Sequence, residues 1–273
     1  MSFFDHFGNP PKVEPQPGNA RCVVLVGLSE AVLPEEDWFH EALAELNSAT
    51  SIRGYWADGR SASFTVAELT QEGPAEIGFG SIRLAAAPIP ADALAVACDR
   101  SWRWRQAAAV LAAHTHHWMV SVTTDTAPFH NAMVMGRLLA ALSCRPAFLG
   151  AYFGRAELVH SPHSLRAGCD VEPDASPVDL WVHVTLDAHE DETTSLRTQG
   201  LSQFGVAEIE IARSRMRYDE LYEQGREFAS NLMKAGPVLK DGDTVCTTSD
   251  APHLVRYMPS IYDSEETVCR ILL

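Results

Sequence analysis

Positive charge is what this chain lacks most. It holds 21 Lys+Arg against 36 Asp+Glu, a net charge of −15. The deficit is even: 8 basic and 15 acidic groups lie in 1–136, and 13 and 21 in 137–273, so no acidic tail accounts for it. Such a field repels phosphate backbones and anionic lipid, so neither nucleic acid nor a membrane surface is expected as a partner; a basic protein is. Long apolar runs are missing too, and no stretch approaches the roughly 18 residues that a membrane span needs. The opening MSFFDHFGNPPK has no basic region followed by an apolar run, so no secretory signal is expected. The six cysteines (Cys22, Cys98, Cys144, Cys169, Cys246, Cys269) lie far apart with no CxxC pair, which points to free thiols in a reducing compartment and to the cytoplasm.

Complete catalytic motifs are also absent. HExxH, GxSxG and GxxxxGK[ST] do not occur. Gly27-Leu28-Ser29 lacks the second glycine of a nucleophile elbow. Gly78-Phe79-Gly80 resembles half of a dinucleotide fingerprint, but it reads as a bend in a strand. No catalytic residue and no cofactor are therefore expected.

What is present reads as alternating elements. Cys22–Leu28 is a short β-branched run and predicts a buried strand. Pro34 opens a helix whose Glu35, Glu36 and Asp37 suit the positive end of its dipole, with Phe39, Leu43 and Leu46 on the buried face. Strands are predicted around Arg53–Ala57, Ala62–Glu68 and Glu76–Ala86, then a helix capped by Ser101 and running to about His114. His117–Thr124, a helix over Pro128–Leu142 and a strand over Pro146–Phe153 form a strand–helix–strand unit, expected to be right-handed and parallel. Residues 160–178, with three prolines, read as a long mobile loop. Strands are predicted at Leu180–Leu186, Ala207–Ile211 and Thr244–Thr247, with an amphipathic helix from Arg217 to Met233. The class is therefore α/β (α+β), with mixed sheets packed against helices.

Several clusters are candidates for function. His114, His117 and His130 are the metal suspects, since imidazole suits zinc and nickel, although no carboxylate lies within the cluster. Cys169 beside His160 and His163 allows a Cys–His pair; unrelated loop residues are the plainer reading. Trp102 and Trp104 would point apart on a helix, so one packs inward and the other is free to anchor a partner; Trp104 is taken as that anchor. Glu190, Asp191 and Glu192 form a charged turn, either a solvated hairpin tip or a docking site for a basic partner. In Ser195–Ile211, glycines allow a reversal, Leu201 and Phe204 plug it, and Glu208 and Glu210 share a strand face opposite Ile209 and Ile211. That pair is read as part of the acidic surface a partner meets.

Order and spacing of motifs carry a family resemblance. Pro88-Ile89-Pro90, Trp102, His114 and His117 leading into Trp118–Val122, and Leu180–Leu186 carry it first. Thr198-Gln199-Gly200-Leu201 with Phe204-Gly205 and Glu208, then Gly236-Pro237 and Asp241-Gly242-Asp243-Thr244, complete it. From about Pro88 to Thr244 the chain resembles the bacterial domain of unknown function 4261 family. The resemblance implies a cytoplasmic bacterial α/β protein and no particular reaction. Residues 1–20, polar and carrying Pro10, Pro11, Pro15 and Pro17, read as a loose leader; an α/β subdomain over 21–87 and a family-like domain over 88–273 follow, expected to pack as one globular unit. By analogy of size, acidity and missing motifs, proteins of this type resemble immunity proteins that neutralise type VI-secreted or polymorphic toxins. The expectation is a non-enzymatic, protein-binding protein whose partner is a basic cognate toxin domain. The alternatives are a metal-dependent hydrolase using the histidines, and an oligomeric scaffold.

Overall fold

The computed structural model describes residues 22–46, 49–169, 177–246 and 252–273. The expected leader lies outside them. The chain divides into two units, Asn19–His183 and Val184–Leu273. Both combine helices with a sheet, so the fold is mixed α/β. The border falls after His183 and not near residue 87. The reason is that strand β4 (Gly73–Ala85) pairs along its length with β5 (His116–Thr124), which ties 21–87 to the segment carrying β5.

The amino-terminal unit is built on seven strands in the order β2-β3-β4-β5-β1-β6-β7. Beyond β4 and β5 these are β1 (Cys22–Leu28), β2 (Thr50–Ala57), β3 (Ser61–Thr70), β6 (Phe148–Phe153) and β7 (Leu158–His160). Every pairing is antiparallel. The expected strand–helix–strand unit exists as β5, helix α4 (Pro128–Leu142) and β6. Its two strands run the same way but are not neighbours, because β1 lies antiparallel between them.

One face of the sheet is apolar throughout. Val24, Val26, Phe64, Val66, Ile82, Trp118, Val120 and Val122 are buried there. Helix α1 (Glu36–Glu45) and α4 cover it; α4 is buried nearly all round, as its composition demands. The opposite face is covered over β1, β6 and β7 alone. There α2 (Ala91–Arg100) and α3 (Ala107–Leu111) form a second small core from Ile89, Leu94, Ala97, Leu111 and Val159. Two glycines admit this layer. A Cβ on Gly27 would lie 3.3 Å from Leu111, and one on Gly150 would lie 2.6 Å from the Trp104 ring.

Three expectations fail in this unit. The helix from Ser101 to His114 is only α3; Ser101 instead ends α2, which the periodicity does not reveal, and its Oγ accepts the Val159 N–H at 2.9 Å. The loop over 160–178 begins as helix α5 (Pro162–Cys169), opened by Ser161 Oγ accepting the Ser164 N–H at 3.1 Å. Leu180–Leu186 begins in a single helical turn, α6 (Val178–Trp181), and continues as strand β8 (His183–Ala188). Pro177 favours that turn, and the Trp181 ring packs edge-on against Phe153 at 4.7 Å.

The carboxy-terminal unit holds six strands in the order β11-β12-β13-β10-β9-β8. These are β9 (Thr194–Gln199), β10 (Ile209–Ser214), β11 (Thr244–Cys246), β12 (Pro252–Pro259) and β13 (Thr267–Leu272), with β8 at the edge. Strands β10 and β13 are parallel; β10 is antiparallel to β9, and β12 to both β11 and β13. Helix α7 (Tyr218–Ala235) packs on one face, where Gly225 leaves room for Leu196. No helix among the described residues is long and apolar enough to cross a membrane.

Two measurements check this packing. Gly150→Ala drives a methyl into the Trp104 ring and should cost about 1–3 kcal/mol in urea unfolding. Burial pushes the His160 imidazole down to about 4, while its Nε2 donates to the Leu180 carbonyl at 3.1 Å. Below about 6.5 the unfolded chain takes up a proton that the folded imidazole refuses. Stability should therefore fall from about pH 6.5 towards pH 4, by up to about 3 kcal/mol, and His160→Gln should flatten that slope.

Candidate functional site

The reversal in Ser195–Ile211 is built as its sequence reads, except for its acids. Gly200 and Gly205 take φ of 118° and 72°, the left-handed region that suits glycine. Between them a single 3-10 turn, Leu201–Phe204, buries Leu201 and Phe204. Glu208 folds back beneath this turn and is only 7% exposed. Its carboxylate accepts backbone N–H groups from Gly200 (2.9 Å), Leu201 (3.1 Å) and Ser202 (3.0 Å), and the Thr198 hydroxyl (2.9 Å). A negative charge at the amino end of a helical turn satisfies donors that have no other partner.

Glu210, on β10, is 2% exposed. It accepts the Arg270 guanidinium at 2.8 Å, the Ile261 N–H at 3.2 Å and the Ser260 hydroxyl. These bonds tie the 260–266 loop to the sheet. Tyr262 adds to the tie by donating to Asp187 at 2.8 Å and stacking under the Arg197 guanidinium. Register places Arg197, Glu210, Arg270 and Arg256 side by side across four strands, with Asp187 and Asp241 pairing the outermost arginines. The row is a charge ladder closed on itself. Glu208 and Glu210 are thus internal clasps and not an acidic surface; their alternation with Ile209 and Ile211 failed as a guide because both faces of β10 are covered here. The neighbouring Glu266 feels the crowding of acids. Partial burial and the Glu208, Asp263 and Glu210 carboxylates push its carboxyl above the usual range.

The other candidates also resolve into structure. Asp191 is held below the usual carboxylate range by the Thr193 hydroxyl and by Arg213, whose guanidinium sits 2.6 Å away. With Glu190 and Glu192 it forms an exposed hairpin tip between β8 and β9. Trp104 is packed over Gly150, and Trp102 is the exposed ring, 61% accessible, with Arg103 over it. His114 has both ring nitrogens committed to the backbone: Nε2 accepts the Ile89 N–H at 2.7 Å and Nδ1 contacts the Leu111 carbonyl. His117 Nδ1 donates to Ala87 O at 2.7 Å, on the α2–α3 side of the sheet. His130 lies on α4, beyond the other face, 3.2 Å from Glu68, which also takes Arg137 at 2.9 Å. The sheet stands between His130 and the other two, so the three do not form a metal centre. Among the described residues no group of three or more His, Cys, Asp or Glu is placed to hold a metal. The side chain of Cys169 lies outside the described residues, so its pairing with His160 and His163 has no geometry here.

A surface that the sequence did not announce is the uncovered half of the seven-stranded sheet. Strand register writes it as three rows. Arg53, Thr65, Phe79 and Thr123 form the first. Trp56, Ser63, Ser81, Ser121 and Val23 form the second. Ser61, Arg83 and Met119 form the third, which ends at Leu25 under the α2–α3 layer. Ser81 and Ser121 share a hydrogen bond of 2.7 Å across the strands. Phe79 is 71% exposed and Trp56 59%. The signal lay in the alternation of β3 and β4, where Ser63, Thr65, Phe79 and Ser81 oppose the buried Phe64, Val66 and Ile82.

Removing the clasps should cost stability in proportion to what is orphaned. Glu210→Ala leaves Arg270 buried without its carboxylate and should cost about 3–5 kcal/mol. Glu208→Ala frees two buried N–H groups and a half-buried one and should cost about 3 kcal/mol, while the exposed Glu190→Ala stays within about 0.5 kcal/mol in the same urea titration.

Residues 197–272 match the model of a family described as a domain of unknown function, DUF4261. The match covers the turn, both clasps and the charge ladder, and starts well after the Pro88 at which the sequence resemblance begins. No curated protein and no solved structure matches the chain. Over residues 197–272 the chain is similar to the DUF4261 family.

Proposed function

We propose that the protein acts by binding another protein, as an immunity protein does when it blocks a type VI-secreted or polymorphic toxin. The observation that carries this reading is the pair of exposed rings, Trp56 and Phe79, on an uncovered sheet face. Large apolar side chains grouped on a surface mark sites of association, and aromatic anchors dominate interface energetics. The −15 net charge favours a partner of opposite overall charge by steering its approach. The free thiols of Cys22, Cys98, Cys144 and Cys269 support action in a reducing cytoplasm.

The test is co-expression with the product of the adjacent gene, scored by rescue of growth and by copurification. Trp56→Ser with Phe79→Ser should weaken the complex at least 30-fold, about 2 kcal/mol, and leave the thermal midpoint unchanged, since both rings lie outside the core. A parent protein that neither rescues nor copurifies removes the reading.

A further inference from the structure

Arginines in this acid-rich chain are normally spoken for. Ten of those in the described residues pair with a carboxylate, among them Arg100, Arg137, Arg213 and Arg270. Arg53 and Arg83, like Arg60, Arg105 and Arg215, are exposed and have no carboxylate partner among the described residues. Both stand on the open sheet face, and the three rows that hold them contain no carboxylate, although Glu76 stands in the next row beyond Phe79 and Asp58 accepts the Ser61 hydroxyl at the rim.

Spacing then limits what can sit there. Arg53 belongs to the first row and Arg83 to the third, with Trp56 in the row between and Phe79 beside Thr65 in the first. Successive rows are two residues apart along a strand, about 7 Å, so the arginines are separated by about 14 Å in the strand direction. An extended polypeptide repeats its side chains on one face at the same interval. Residues i, i+2 and i+4 of such a segment therefore meet the three rows in turn.

Resting on the protein-binding reading, we propose that this face docks an extended segment of the partner with carboxylates at i and i+4 and an aromatic or aliphatic residue at i+2. The carboxylates pair with Arg53 and Arg83. The central side chain lies against Trp56 and Phe79, and the Ser and Thr hydroxyls between them serve its polar neighbours. The chain's negative field does not oppose this, because at 0.15 M salt it is screened beyond about 8 Å whereas the arginines act in contact. A partner that is cationic overall and offers one such segment satisfies both the field and the face.

The probes are two end-blocked heptapeptides, Ser-Glu-Ser-Tyr-Ser-Glu-Ser and Ser-Lys-Ser-Tyr-Ser-Lys-Ser, with ten-residue oligothymidylate as the nucleic-acid arm. Each is titrated into the full isotope-labelled chain at 0.15 M salt and followed by backbone amide shifts. The acidic peptide should bind at least fivefold more tightly than the lysine peptide, with shifts confined to β2, β3 and β4. Arg53→Glu with Arg83→Glu should abolish or invert that preference, and the milder Arg53→Ser with Arg83→Ser should erase it while the thermal midpoint stays put. Equal or tighter binding of the lysine peptide, shifts elsewhere, or tighter binding of the oligonucleotide on this face overturns the proposal. The co-expression assay separates the two readings. If the Trp56 and Phe79 substitutions disrupt the complex but those at Arg53 and Arg83 do not, the acidic-segment proposal falls and the protein-binding reading stands.

Discussion

Because β1 exchanges backbone hydrogen bonds along both edges, with β5 on one side and β6 on the other, it commits the amino-terminal unit to a single broad antiparallel sheet. The rest of that unit is decided by how the two faces of this sheet are closed. The apolar face is sealed by α1 and α4. The second face closes only where Gly27 and Gly150 let Leu111 and Trp104 approach the backbone. Strands β2 to β5 carry small hydroxyl residues on that side and receive no helix. Two large rings left in the open there have no role in holding the sheet together, which is why they read as contact residues.

The carboxy-terminal unit spends its charges differently. Glu208 and Glu210 are deeply buried, and burial of a carboxylate is tolerable only when its oxygens are fully met. Glu208 is met by backbone donors of the turn it supports, Glu210 by an arginine, a hydroxyl and an amide from a distant loop. The family match coincides with these clasps and with the charge ladder beside them. What the family segment encodes here is the means of shaping a sheet and a loop, while the exposed aromatic face lies in the part of the chain outside the match.

Much of the architecture was legible where apolar periodicity is strong. Cys22–Leu28 and Pro128–Leu142 are found with the expected bounds, because a central strand and a helix buried nearly all round demand continuous apolar sequence. Strands β9, β12 and β13 were not recognised for the opposite reason. Arg197, Arg256 and Arg270 occupy their pleats, and their pairing across strands cannot be read from one strand alone. Helix α2 escaped because proline punctuation at Pro88 and Pro90 looked like a loop when it was a helix start. Of the candidate site, the glycine reversal was legible from local chemistry. The inward turn of Glu208 and Glu210 was not, since it depends on a loop about 50 residues further on for the latter.

Strand order in the second sheet carries a consequence for how that unit assembles. Strand β13 is the last of the strands in chain order, yet it lies between β12 and β10. On one side of it β8, β9 and β10 make one ribbon, and on the other β11 and β12 make a second. The parallel contact of β10 with β13 joins segments far apart in the chain, Ile209 beside Cys269, the kind of long-range closure that slows folding. The keystone of this unit is thus its last strand in the chain, which joins the two ribbons and carries the Arg270 that reaches Glu210.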